Sequence, residues 1–129
     1  MNKKLQDRYE SIIDELKLDE IKYFKIGITH DPEERERQYI SDGYSCIYKI
    51  AVGDNASICQ AESDLIKALL ADNRVSSKCK NQSAVLSLGQ TQFADVLYVA
   101  VSIQFENLVS SVDIQLENIL FASGFPISL

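Results

Sequence analysis

The stretch Tyr23-Phe24-Lys25-Ile26-Gly27-Ile28-Thr29, with the run His30-Asp31-Pro32-Glu33-Glu34-Arg35-Glu36-Arg37-Gln38-Tyr39 that follows it, decides the fold. Phe24, Ile26 and Ile28 alternate with Tyr23, Lys25 and Gly27. A period of two places the first set on the core face of a strand and the second on its opposite face. Asp31-Pro32-Glu33-Glu34 reads as the start of a helix. Asp31 can accept a bond from an unpaired backbone N–H, Pro32 suits the first helical position, and Glu34 stands at the capping-box position. Strand, tight turn and helix follow one another, and Arg35 falls in the first turns of the helix, on the side of the strand's polar face.

Upstream, residues 3 to 18 read as an amphipathic helix, with Leu5, Tyr9, Ile12, Ile13 and Leu16 on its apolar stripe. Tyr9 has a packing role there. Downstream, the helix from about 32 to 41 ends at Ser41-Asp42-Gly43, where glycine is a good left-handed terminator. Tyr44 to Val52 alternates as a strand, expected antiparallel to the first, and Gly53-Asp54-Asn55 is turn chemistry. A second long helix is expected from about Ala56 to Ala71, with a stripe of Ile58, Ala61, Leu65, Ile66, Leu69 and Leu70. Glu62 falls in the middle of that stripe, where an ionised carboxylate is costly unless something pairs with it.

Residues 72 to 92 are polar and poorly patterned, which predicts a loop with one short strand at Ala84–Leu88. Such a loop is either functional or a tolerated insertion. Phe93 to Ile103 is a nearly continuous apolar run, the mark of a central strand covered on both faces. Gln104 to Ser123 reads as a helix with heptad-like apolar spacing, a core element or a homodimer seam. The apolar tail Phe125 to Leu129 is expected to pack back on the body or on another copy. The fold class is therefore α/β in the α+β sense: a small, mainly antiparallel sheet flanked by helices, with an added N-terminal helix and a long C-terminal one, in one domain spanning 1–129.

Bulk properties narrow the function. The net charge is −6, with 46% hydrophobic and 25% charged residues, ordinary for a soluble domain. No apolar run approaches a membrane span, and the N-terminus lacks the apolar region of a signal peptide, so a cytoplasmic protein of a bacterial cell or infected host is expected. The acidic balance argues against strong non-specific DNA binding and leaves room for a protein partner with a basic surface. The basic clusters Lys22/Lys25, Arg35/Arg37 and Arg74/Lys78/Lys80 make one patch only if the fold gathers them. Cys46, Cys59 and Cys79 match neither a disulfide framework nor a metal-knuckle spacing, and read as buried free thiols. His30, the single histidine, reads as a surface turn residue rather than a base.

The set Lys25-Ile26-Gly27-x-Thr29, Pro32 and Arg35 resembles the second strand and first helix of the GIY-YIG nuclease superfamily, in a small phage-type branch whose second motif reads K-I-G-x-T. The likeness covers about residues 22 to 72. It implies a hydrolase that cleaves or processes DNA with Mg2+ or Mn2+. By that resemblance Arg35 would contact the scissile phosphate, and Glu62, in the context Ala61-Glu62-Ser63-Asp64-Leu65, would bind the metal. A strand tyrosine would help activate the attacking water. No G-I-Y-like strand precedes Tyr23. The strand Val96-Leu97-Tyr98-Val99 resembles it and would fill its slot from the other end of the chain, making Tyr98 the water activator. Tyr23 and Lys25, on one strand face, would flank the site. The plainer readings are that Arg35 pairs with Glu34 or Asp31, that Glu62 pairs with Arg35 or Lys25, and that the chain is a non-catalytic, acidic binding relative of accessory or counter-defence type.

Overall fold

Strand pairing explains the architecture. The computed structural model describes residues 1–82, 93–104, 121 and 124–129. Its elements in chain order are α1 (Lys3–Leu16), β1 (Ile21–Thr29), α2 (Pro32–Ser41), β2 (Cys46–Val52), α3 (Asn55–Ala71), a 3-10 turn (Ser76–Lys78), β3 (Val96–Ile103) and β4 (Ile127–Ser128). The four strands form one sheet in the order β1-β3-β2-β4. β3 lies antiparallel to both β1 and β2, while β4 adds parallel to β2. This is the mixed α+β, mostly antiparallel arrangement the patterning predicts.

β3 is central, as its continuous apolar run implies: Val96 to Val101 are all buried. One expectation is overturned. β2 is not paired with β1; both run antiparallel to β3 and so point the same way, one on each side of it. The physical reason is the connection. A helix stands between β1 and β2, which suits a crossover rather than a hairpin.

The termini of the helices follow local chemistry. Asn2 caps α1 by accepting from the Lys4 N–H at 2.8 Å. At the other end of α1, Lys78 Nζ donates to the Leu16 and Leu18 carbonyls at 2.9 and 2.8 Å. Asp31 caps α2 through the Glu34 N–H at 3.2 Å, with Pro32 in the first turn. Gly43, at φ 97°, takes the left-handed conformation that ends this segment. Asp54 caps α3 through the Ser57 N–H at 2.8 Å.

The core lies on one face of the sheet. Phe24, Ile26, Ile28, Leu97, Val99 and Val101 pack there with the stripes of α1 and α3. The register places Tyr23, Lys25 and Gly27 of β1, Tyr98 and Ala100 of β3, and Ile47 and Lys49 of β2 on the other face. The tail packs on the body: Ile127 pairs with Ala51, and the Leu129 N–H donates to the Val52 carbonyl at 2.9 Å. The outer edge of β1 is also covered. Lys80 N–H donates to the Phe24 carbonyl at 2.8 Å, and the Asn81 side chain bonds both the N–H (2.8 Å) and the C=O (2.9 Å) of Ile26.

The three cysteines are not joined in disulfides and are half-buried, not buried as the sequence suggests. They sit at the rim of the core or at the sheet edge, where solvent still reaches the side chain. His30 is exposed. The strand expected at Ala84–Leu88 lies outside the described residues. So does all of the helix expected over Gln104–Ser123 except Gln104 and Phe121, and with it any dimer seam. Among the described residues no helix is long and apolar enough to cross a membrane.

Candidate functional site

Tyr98 and Gly27 are direct partners across the β1–β3 ladder. The Tyr98 ring leans over β1 so closely that a Cβ on residue 27 would stand 2.2 Å from its hydroxyl oxygen and 2.5 Å from Cζ. Glycine is required here for space. Any side chain at 27 would drive the ring away. Tyr98 is 2% exposed, and its hydroxyl donates to the Tyr39 hydroxyl at 3.1 Å.

Tyr39 and Arg35 are four residues apart on α2 and therefore share a side of the helix. That side faces β3, as the Tyr39–Tyr98 bond and ring contact show (centroids 5.6 Å apart). The row of rings continues outward. Tyr39 meets Tyr44 at 4.9 Å, and Tyr44 meets Tyr23 at 5.0 Å, all close to perpendicular. Tyr23 donates its hydroxyl to the Gly43 carbonyl at 3.3 Å, and Lys80 Nζ lies 5.3 Å from the Tyr23 ring centre.

Burial is the main cause that pushes the Tyr98 hydroxyl far above the usual tyrosine range. The Tyr39 neighbour adds to it through charge and hydrogen bonding, Arg35 opposes it, and Glu62 reinforces it. Glu62 is 8% exposed, in the middle of the buried stripe of α3, as its sequence position implies.

The candidates thus divide. Tyr98 and the Arg35 side of α2 lie on one face of the sheet, whereas Glu62 lies in the buried stripe of α3. Lys25 lies on the same sheet face and is exposed. Tyr23 is on that face too, but its hydroxyl is occupied by Gly43. The pairing of Arg35 with Glu34 or Asp31 does not occur: Glu34 binds Arg37, and Asp31 caps the helix. Among the described residues Arg35 has no ion pair.

Several members of the basic clusters are already engaged. Arg37 is held by Glu34. Arg74 is held by Glu10 at 2.8 Å and Asp72 at 2.7 Å. Lys78 is spent on the end of α1. Tyr9 packs as expected and also donates to Asp72 at 2.9 Å. Burial, followed by that bonded carboxylate, raises the Tyr9 phenol.

Two residues of the site escape the sequence reading. Tyr39 bonds Tyr98; its only signal is the four-residue offset from Arg35. Lys49, in register with Tyr98 on β2 and exposed, has no local signal at all. Compared with family models, curated proteins and solved structures, the chain matches none.

Proposed function

We propose that the sheet face carrying Tyr98 is a phosphodiester-cleaving site of GIY-YIG-like type, acting on DNA. The observation that carries this reading is that Tyr98, a buried phenol packed over Gly27, is bonded to Tyr39, which shares its side of α2 with Arg35. Arg35 supplies the cation for a phosphate in its transition state. Tyr98 stays protonated at neutral pH, so it serves as a relay rather than a base. It accepts a proton from the attacking water while its own passes along the existing bond to the half-exposed residue Tyr39, which delivers a proton to solvent.

The resemblance to GIY-YIG nucleases implies a divalent ion. Glu62 is a carboxylate buried in an apolar stripe, and the described residues hold no cluster of three or more potential ligands. The ion would rest on Glu62 and its own waters, a coordination magnesium tolerates. Bound there, Mg2+ or Mn2+ would neutralise charge on the phosphate.

A second reading rests on a specific observation. Tyr98 is only 2% exposed and the chain carries a net charge of −6. Both favour a non-catalytic relative that uses this face to bind a protein or ligand. Incubation with supercoiled plasmid and single-stranded DNA plus magnesium or manganese separates the two. Cleavage reading: nicking by the wild type, lost in Glu62→Ala and Arg35→Ala. Absence of cutting by the folded wild type would leave the binding reading.

A further inference from the structure

The cleavage reading places a phosphate near Arg35 but leaves the kind of nucleic acid open. We propose that the tyrosine row Tyr39–Tyr44–Tyr23, with Lys25 and Lys80 beside it, is a binding track for unpaired, single-stranded nucleic acid leading to that site; the inference rests on the cleavage reading for its location.

Four of the six tyrosines of the chain stand in this one row, with Tyr98 at its buried end. The row is not there to fill a core. No residue of α2 is buried, and Tyr23, Tyr39 and Tyr44 are each half-exposed. The dry packing lies on the opposite sheet face and is mostly aliphatic. Aromatic rings held partly in solvent are suited to stacking on bases, a contact worth about 1–3 kcal/mol per base and tolerant of sequence.

Charge points the same way. Lys25 and Lys80 are exposed, and among the described residues neither has an ion pair, whereas Arg37 and Arg74 are tied to carboxylates. Lys25 is on the face of β1 that carries Tyr23, and Lys80 Nζ lies 5.3 Å from the Tyr23 ring centre. Two exposed cations of this acidic chain therefore sit beside the rings. Asp42, which acts on Tyr44, is the acidic neighbour of the row.

Two lysines and Arg35 are too few to follow the phosphates of a duplex, which presents its bases stacked out of reach. They suffice for a short single strand whose bases stack on tyrosine. The occupant that matches both features is an unpaired strand.

The test is fluorescence anisotropy of a labelled oligothymidine of about twelve nucleotides, in EDTA at low salt, against a hairpin duplex of equal length. The single strand is expected to bind at least about tenfold more tightly. Tyr44→Ala should weaken it about 5- to 100-fold, and Tyr44→Phe should restore it. Lys25→Ala, an exposed position that leaves the fold intact, should weaken binding and reduce the salt slope by about 0.7. Equal or tighter binding of the duplex, no binding, or unchanged binding by both Tyr44→Ala and Lys25→Ala would overturn the proposal. Plasmid nicking without single-strand preference would overturn this inference and leave the cleavage reading standing. Single-strand binding without cutting in magnesium or manganese would do the reverse.

Discussion

The two faces of the sheet are made from the same three strands and obey different rules. On one, Phe24, Ile26, Leu97 and Val99 meet the stripes of α1 and α3 in a dry, mainly aliphatic core, with Leu5, Ile12, Leu65 and Leu69 fully buried. On the other, Tyr98 lies over Gly27, and α2 packs through Tyr39 with no residue of its own buried. The first face is stabilised by area removed from water. The second is held by a few directional contacts and a steric fit, and it carries Lys25 and Lys49. The two faces therefore differ in what holds them, and substitutions on them should have different signatures.

The largest effect belongs to the aliphatic face. Leu65→Ala empties a fully buried site and should cost about 2–5 kcal/mol in urea unfolding; a loss below about 1 kcal/mol would mean that α3 does not anchor the fold. Gly27→Ala comes next. Its Cβ would meet the Tyr98 hydroxyl at 2.2 Å, and overpacking of that kind costs about 1–3 kcal/mol. In a double-mutant cycle with Tyr98→Leu the penalty should shrink, and full additivity would show that the ring is not what Gly27 accommodates.

Tyr98→Phe removes one hydroxyl–hydroxyl bond and should cost only about 0.5–1.5 kcal/mol. Any cleavage activity should fall about 10²- to 10⁴-fold. A variant that melts like this and still cuts at the wild-type rate would remove the proton relay. The smallest effect is a pH dependence remote from the tyrosine face. Hydrogen bonding to Arg74 is the main reason that the Asp72 carboxyl is held below its usual range, with Tyr9 assisting. A carboxyl lowered on folding contributes stability that is present above its unfolded value, about 3.9, and is lost as pH falls toward the folded value. The Tm of Asp72→Asn should therefore fall less steeply than the wild type's below about pH 4. The contrast should narrow in high salt, because Arg74 is substantially exposed. Identical acid limbs would show that the pair is not formed in solution.

What the sequence made legible was local. β1 and α2 follow from alternation and from the Asp31-Pro32 cap, because a strand and a helix start are each specified within a few residues. The central place of β3 was legible too, since an uninterrupted apolar run needs cover on both faces. The neighbour relations of β1 and β2 were not. Phe24 pairs with Val101 and Cys46 also pairs with Val101, and the choice of a partner so distant is made by the packed sheet, not by either segment. The same division runs through the site. Tyr98 was singled out only through the resemblance of its strand to a missing motif strand, and Glu62 as a carboxylate in a stripe of Ile and Leu. Tyr39 was not, because α2 lacks an apolar stripe that would mark its inward side. The pairing of Arg74 with Glu10 and Asp72 was likewise hidden, being a contact between two elements with no shared pattern.

Asn81 has a consequence for the lifetime of the fold. Its carboxamide imitates a peptide group, giving to and taking from Ile26 on the exposed border of the sheet. Hydrolysis of that amide to aspartate would keep the acceptor and abolish the donor, setting a carboxylate against the Ile26 carbonyl. Slow chemical ageing at a single surface side chain would then unseal the border of the K-I-G strand, where another chain's strand can add. Faster deuterium uptake at the Ile26 amide in Asn81→Asp would register it, and unchanged uptake would show that the seal is made elsewhere.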